Sequence, residues 1–218
     1  MAQSAAANGT VGPTRLDRRK ARTRQALIDA AVRLIAAGRG ERASIQEITE
    51  AADIGFGSFY NHFESKDELF RTASEELLER WGGLIDGACS GLDDPAEVFA
   101  TSFRISGRLS WTHPDLARFI AGAGLGLLDV PRGLAPRALR DIERGQAAGR
   151  FTGPHPEVAL CTVAGGLIGL LRGHERDPEL INDAAVDQLA EALLRMLGVP
   201  AREAGRIAAR PLPDIAAW

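Results

Sequence analysis

The sequence is poor in sulfur and in phenol: of 218 residues, two are cysteine, Cys89 and Cys161, and one is tyrosine, Tyr60. Two thiols are too few for a disulfide framework, and their spacing matches no zinc pattern. Both read as small buried side chains in a reducing compartment, since no neighbour marks either as a low-pKa thiolate. The four histidines, His62, His113, His155 and His174, fall in no catalytic or metal motif. A serine elbow and a phosphate loop are also missing, and Gly122, Gly124 and Gly126 lack the spacing of a dinucleotide loop. The sequence thus gives no reason to expect a cofactor or a metal, and a small helical enzyme is only a remote alternative. No run approaches 18 apolar residues, so no membrane span is expected. Residues 1–13 are uncharged, with neither the basic leader nor the apolar stretch of a signal peptide, and read as a disordered tail on a cytoplasmic protein. Period-2 alternation is absent too, which leaves an all-α protein.

Charge is divided unevenly. Residues 1–63 hold 9 Lys or Arg against 6 Asp or Glu, a balance of +3, and the remainder carries −6. Arg15, Arg18, Arg19, Lys20, Arg22 and Arg24 concentrate the excess, opposed locally by Asp17 alone. Such asymmetry suits an end that faces nucleic acid and an acidic body.

About nine helices are expected. Leu27, Ala30, Ala31, Leu34 and Ile35 form one apolar stripe at helical spacing, ended by Gly38 and Gly40. Ser44 and Glu47 have the spacing of a capping box, as do Ser65 and Glu68. Between them lie a short helix with Ile45, Ile48 and Ala52 on its inner face, a turn at 53–57, and a third helix at about 56–62. A long helix then runs to about residue 88. Pro95, Pro114 and Pro156 each suit a first helical position, a seventh helix lies between Gly133 and Gly149, and Gly198 with Pro200 stops the ninth.

The run Ile54-Gly-Phe-Gly-Ser-Phe-Tyr-Asn-His-Phe-Glu-Ser-Lys-Asp-Glu-Leu-Phe70 resembles the signature of the TetR family of transcriptional regulators. The likeness extends upstream through the Arg-rich first helix and covers about 60 residues; beyond it, only the number and length of helices match. It implies a helix-turn-helix DNA-binding domain at 14–64 and a helical ligand-binding and dimerisation domain at 65–218. A short helix fits the major groove, and small residues at its start, Gly57 and Ser58, let it approach the bases. Phosphates need donors or cations on the flanks, and Tyr60, His62 and Lys66 supply them. By the resemblance these three contact phosphate, and Ser58 phosphate or base. Ser44, Gln46, Phe56 and Asn61 complete the expected DNA-binding set, while Phe59 and Phe63 pin the short helix from behind.

The resemblance also implies a double-stranded operator, a homodimer through the last two long helices, and a small-molecule effector that releases DNA. Gly165, Ile168, Gly169, Leu189 and Leu193 are the dimer candidates, since helical glycines permit close approach. Trp81, Phe99, Phe103, Trp111 and Phe119 are the pocket candidates. An activator, or a regulator gated by another protein, is the alternative.

Overall fold

The computed structural model describes residues 14–40 and 42–213; the expected tail at 1–13 lies outside them. Ten α-helices and two 3-10 helices, with no strand, make up the described residues.

Helix α1 (Arg15–Ala36) begins at Thr14, whose hydroxyl accepts from the Asp17 backbone N–H while the Asp17 carboxylate accepts from Thr14. Its first three turns are largely exposed, and burial starts at Leu27. Gly38, at φ +66°, closes it in the left-handed region that glycine tolerates. Helix α2 (Ile45–Ala51) carries the expected Ser44–Glu47 capping box. Asp53, at φ +56°, turns the chain into a 3-10 helix (Phe56–Asn61). Phe59 within it and Phe63 just after it are both buried, with ring centroids 6.1 Å apart.

Helix α3 (Lys66–Cys89) is the spine. Ser65 caps it, accepting from the Glu68 N–H. Helices α4 (Pro95–Gly107), α5 (Leu109–Thr112) and α6 (Pro114–Ala123) follow. Gly124, at φ +59°, ends α6 and starts the second 3-10 helix (Gly124–Asp129). Helices α7 (Leu134–Ala147), α8 (Pro156–Arg176) and α9 (Asp183–Met196) run near their expected bounds, and Gly198 at φ +96° stops the last of these. Helix α10 (Ala201–Ala208) was not foreseen; its Ile207 and Ala208 pack under α4 and α9.

Two apolar clusters hold the molecule. One joins Leu27, Ile48, Phe59 and Phe63 of the N-terminal helices to Leu69, Leu77 and Trp81 of α3 and to Leu116 and Ile120 of α6. It crosses the expected boundary at residue 64 without interruption. The other packs α4 and α7–α10 around Phe99, Phe103, Ile142 and Leu193. Arg80 of α3 bonds Asp29 of α1 at 2.6 Å, and Arg33 donates to the Ala51 carbonyl, so both neighbours are tied to α1.

One expectation changes. Cys89 is buried but Cys161 is exposed on the outer face of α8. That helix is, by length and composition, long and apolar enough to cross a membrane, although no unbroken apolar run marks it in the sequence; a third of its most apolar stretch is buried against the core.

Candidate functional sites

The 3-10 helix presents Phe56, Gly57, Tyr60 and Asn61 outward on one surface, with Ser58 and His62 half-buried beside them. Phe56 and Tyr60 are more than half exposed although large and apolar, and their rings meet edge-on at 6.4 Å. A Cβ at Gly57 would meet open space, so nothing within this chain requires glycine there. Lys66 reaches back to the turn before α2, donating to the Ala43 carbonyl at 3.3 Å, and its ammonium lies 5.9 Å from the Phe70 ring centroid. Ser44 is exposed, but its side chain is committed to the cap of α2, and Gln46 donates to Glu50 at 2.9 Å. The short helix and its end thus carry Phe56, Gly57, Ser58, Tyr60, Asn61 and His62, while Ser44, Gln46 and Lys66 are already engaged in contacts within the chain.

His62 holds its Nδ1 buried, with no partner among the described residues. Burial pushes its pKa below the usual imidazole value, and the charges of Lys20 and Arg24 push the same way. These two cations of α1 thus extend the positive surface past His62; Arg24 also lies 4.6 Å over the Phe63 ring. Phosphate would reverse the repulsion, since an anion favours the protonated ring.

A cavity of about 70 Å³ lies between α3, α4, α7 and α8. Phe99 and Phe103 line it with Ile85, Val163 and Leu167, and Asp86, Arg137 and Asp141 stand in its wall. Arg137 crosses from α7 to α3, donating to Glu79 at 2.8 and 2.9 Å and to Asp86 at 2.8 Å. The room for it comes from Gly82, where a Cβ would fall 2.8 Å from the Arg137 side chain. Arg140 donates to Asp86 at 2.8 Å and to Asp141 at 2.9 Å. The carboxylates differ in character. Hydrogen bonds from Arg137 hold Glu79 down at about 2. Burial raises Asp86, but Arg140 and Arg137 outweigh it and keep its pKa low. Burial raises Asp141, and Arg140 offsets this only in part. The Cys89 thiol is likewise pushed up by burial, which argues against a reactive thiolate.

Of the five expected pocket aromatics, Phe99 and Phe103 face this cavity. Trp81 is fully buried in the first cluster, its ring 5.0 Å from that of His113. Trp111 packs on His174, and Phe119 lines a separate groove beside Lys66 and Phe70. The polar wall escaped sequence reading because Asp86 and Arg137 meet only when α3 and α7 pack. A four-residue rhythm, Arg137 and Asp141 with Arg140 and Arg144, was its one available signal.

On the outer face of α8, Val158, Cys161, Thr162, Gly165 and Gly169 are exposed, with Ala184, Gln188 and Ala192 exposed on α9. A Cβ at Gly165 or Gly169 would meet open space within the chain, and Ile168 is half-buried at the edge. Leu193 is a correction: it is buried in the chain's own second cluster, because the inward stripe of α9 continues through it. Leu189 also points inward, against Gly166, a helical glycine that admits a close approach. Among the described residues, no group of three or more His, Cys, Asp or Glu could hold a metal ion.

Comparison with known proteins places these features. A family model described as "Bacterial regulatory proteins, tetR family" matches residues 27–73, and one described as "Tetracyclin repressor-like, C-terminal domain" matches residues 94–210. The structure of RolR in complex with resorcinol is 37% identical and superposes with a TM-score of 0.74, covering 91% of this chain and 99% of that one. The transcriptional repressor DhaR of Mycobacterium sp. (strain GP1) is 28% identical over 79% of this chain and 81% of its own. The transcriptional regulator TcmR of Streptomyces glaucescens is 29% identical, but that match spans only 43% of this chain and 41% of the relative.

Proposed function

Because this chain belongs to the TetR family and is a ligand-responsive DNA-binding regulator of transcription, we propose that it is a repressor released by a small hydroxylated aromatic. It binds a palindromic operator as a homodimer, acting in the cytoplasm, where that DNA lies. Tyr60, His62 and Lys66 contact phosphate, while Gly57, Ser58, Phe56 and Asn61 approach the bases. The exposed small-residue faces of α8 and α9 form the dimer contact, centred on Gly165 and Gly169, with Ile168 at its edge.

The observation that carries the effector reading is that Asp86 and Arg137 stand in the wall of an otherwise largely apolar cavity that includes Phe99 and Phe103. RolR, similar over almost the whole chain, was crystallised with resorcinol, a neutral ring with two hydroxyls. Here two guanidinium groups, on Arg137 and Arg140, face three carboxylates, on Glu79, Asp86 and Asp141. A further anion is therefore poorly received. A neutral hydroxyl donates to one carboxylate and accepts from one guanidinium, so it joins the network without adding charge.

Release follows from α3. One end of this helix carries Lys66 beside the recognition surface, and the other carries Gly82, Ile85 and Asp86 in the cavity wall. A ligand that shifts the cavity end moves the recognition end, and linkage makes the effect reciprocal: DNA weakens the ligand by the factor by which ligand weakens DNA. The test is selection of bound duplexes from a random pool, followed by titration with resorcinol. The expected outcome is a palindrome whose affinity falls about 5–150-fold at saturating ligand. Failure to enrich any palindrome overturns the dimeric operator reading, and unchanged affinity overturns the effector reading.

A further inference from the structure

A second chamber adjoins the first. It occupies about 60 Å³ and is bounded by Ile120 of α6, Gly124 and Leu127 of the second 3-10 helix, Ala135 of α7, and Leu160 and Ala164 of α8. Every side chain lining it is apolar. The two chambers share Leu134, Ala138, Val163 and Leu167, a partition one side chain thick. The charged groups belong to the first chamber alone.

The volumes matter. A void of about 150 Å³ takes benzene, and neither chamber reaches that size. A ring that seats its hydroxyls on Asp86 and Arg137 therefore has to press the partition aside and extend toward the second chamber. The far wall can yield. Gly124 breaks α6 at φ +59°, and the 3-10 helix after it contains no buried residue.

We infer that the second chamber is a tail subsite, so that the effector is a hydroxylated aromatic bearing a short alkyl substituent. The inference rests on the first chamber being the ring site. With about 30 Å³ per water-sized group, the second chamber, at about 60 Å³, holds roughly two carbons. Each buried methylene strengthens binding about fourfold, from ~0.8 kcal/mol per CH₂ and a factor of ten per ~1.4 kcal/mol.

The experiment is calorimetric titration of the full chain with resorcinol and its 5-methyl, 5-ethyl, 5-propyl and 5-pentyl derivatives. Affinity is expected to climb about fourfold per carbon to ethyl or propyl, then level or fall at pentyl. Ala164→Leu fills the second chamber without touching the first. It should bring the propyl-to-methyl affinity ratio down toward one. If resorcinol binds and the wild-type series is flat or falls, the ring-site reading stands and the tail subsite is overturned. If the Ala164→Leu series still climbs, the tail lies elsewhere and the inference fails. If no compound binds, both readings fail together. The wild-type series decides the matter even if the variant folds poorly.

Discussion

Arg137 of α7 grips Glu79 of α3 through two guanidinium nitrogens, at 2.8 and 2.9 Å, and reaches Asp86 with a third. Gly133, at the start of α7, adds a bond from its N–H to the Glu79 carboxylate, and at φ +98° it is packed so closely that a Cβ would sit 2.6 Å from that of Leu78. One arginine thus belongs both to the cavity wall and to the fastening of the helix that carries Lys66.

Arg137→Ala should therefore do two things. With both partners less than a third exposed, loss of the pair costs about 1–3 kcal/mol, between the values for surface and for buried pairs. At about 2–4 °C per kcal/mol for a chain of this size, calorimetry should show melting lowered by roughly 5 °C. Resorcinol affinity should fall in the same variant. Unchanged melting would mean that the pair holds nothing in place.

The Glu79 carboxyl also sets a pH dependence. Its pKa is depressed in the folded chain, about 2 against an ordinary 4.5. The stabilisation is therefore complete above pH 4.5 and is lost as pH falls toward 2. Wild type and Glu79→Gln should differ in melting temperature at pH 7 and converge only as the pH falls to about 2.

On DNA, Tyr60→Ala and Lys66→Ala should each weaken binding to any duplex and reduce the slope of log K against log salt by up to about 0.9 per phosphate contact. His62 adds a signature of its own. Its pKa is lowered in the free protein, so its contribution to stability is lost as pH drops below 6.5. Phosphate favours the imidazolium, so DNA affinity should instead rise between pH 8 and pH 6. The two trends oppose each other, and His62→Gln should abolish both. A His62→Gln protein whose DNA binding keeps the wild-type pH profile would remove this residue from the interface.

Gly165→Arg places a long cation on the exposed face of α8, where a Cβ meets open space within the chain. The variant should fold normally by circular dichroism yet run as a monomer in light scattering, with Cys161 becoming more accessible to thiol reagents than in wild type. A dimeric Gly165→Arg protein would move the contact elsewhere.

The N-terminal elements were legible because their determinants are local. The Ser44–Glu47 cap, the stripe from Leu27 to Ile35 and the inward pair Phe59 and Phe63 all lie within a few residues of their partners. The cavity was half legible: Phe99 and Phe103 sit one turn apart on α4, but Asp86 and Arg137 meet only through helix packing, and the charge rhythm along α7 gives no hint of its partner on α3. Aromatic type alone did not separate Phe99 and Phe103 from Trp81, which is fully buried in the core, or from Trp111, which is half-buried against His174. Leu193 was misassigned because an apolar stripe shows that a face is covered without showing what covers it; the chain's own α4 and α10 lie against α9. Helix α10 was missed because its eight residues, with only Ala204, Ile207 and Ala208 buried, make too short a pattern to separate from a loop.

The apolar cluster that runs from Phe59 through Leu69 and Trp81 to Leu116 makes the DNA-reading end a poor transplant. Cut at residue 64, it would leave the inner faces of α1 and α3 uncovered on both fragments. A chimera that exchanges operator specificity with a relative would have to carry α3 and the facing surface of α6 as well. Inheritance should follow the same seam, with changes at Leu69, Leu77 and Leu116 arising together with changes on α1 instead of drifting separately in two modules.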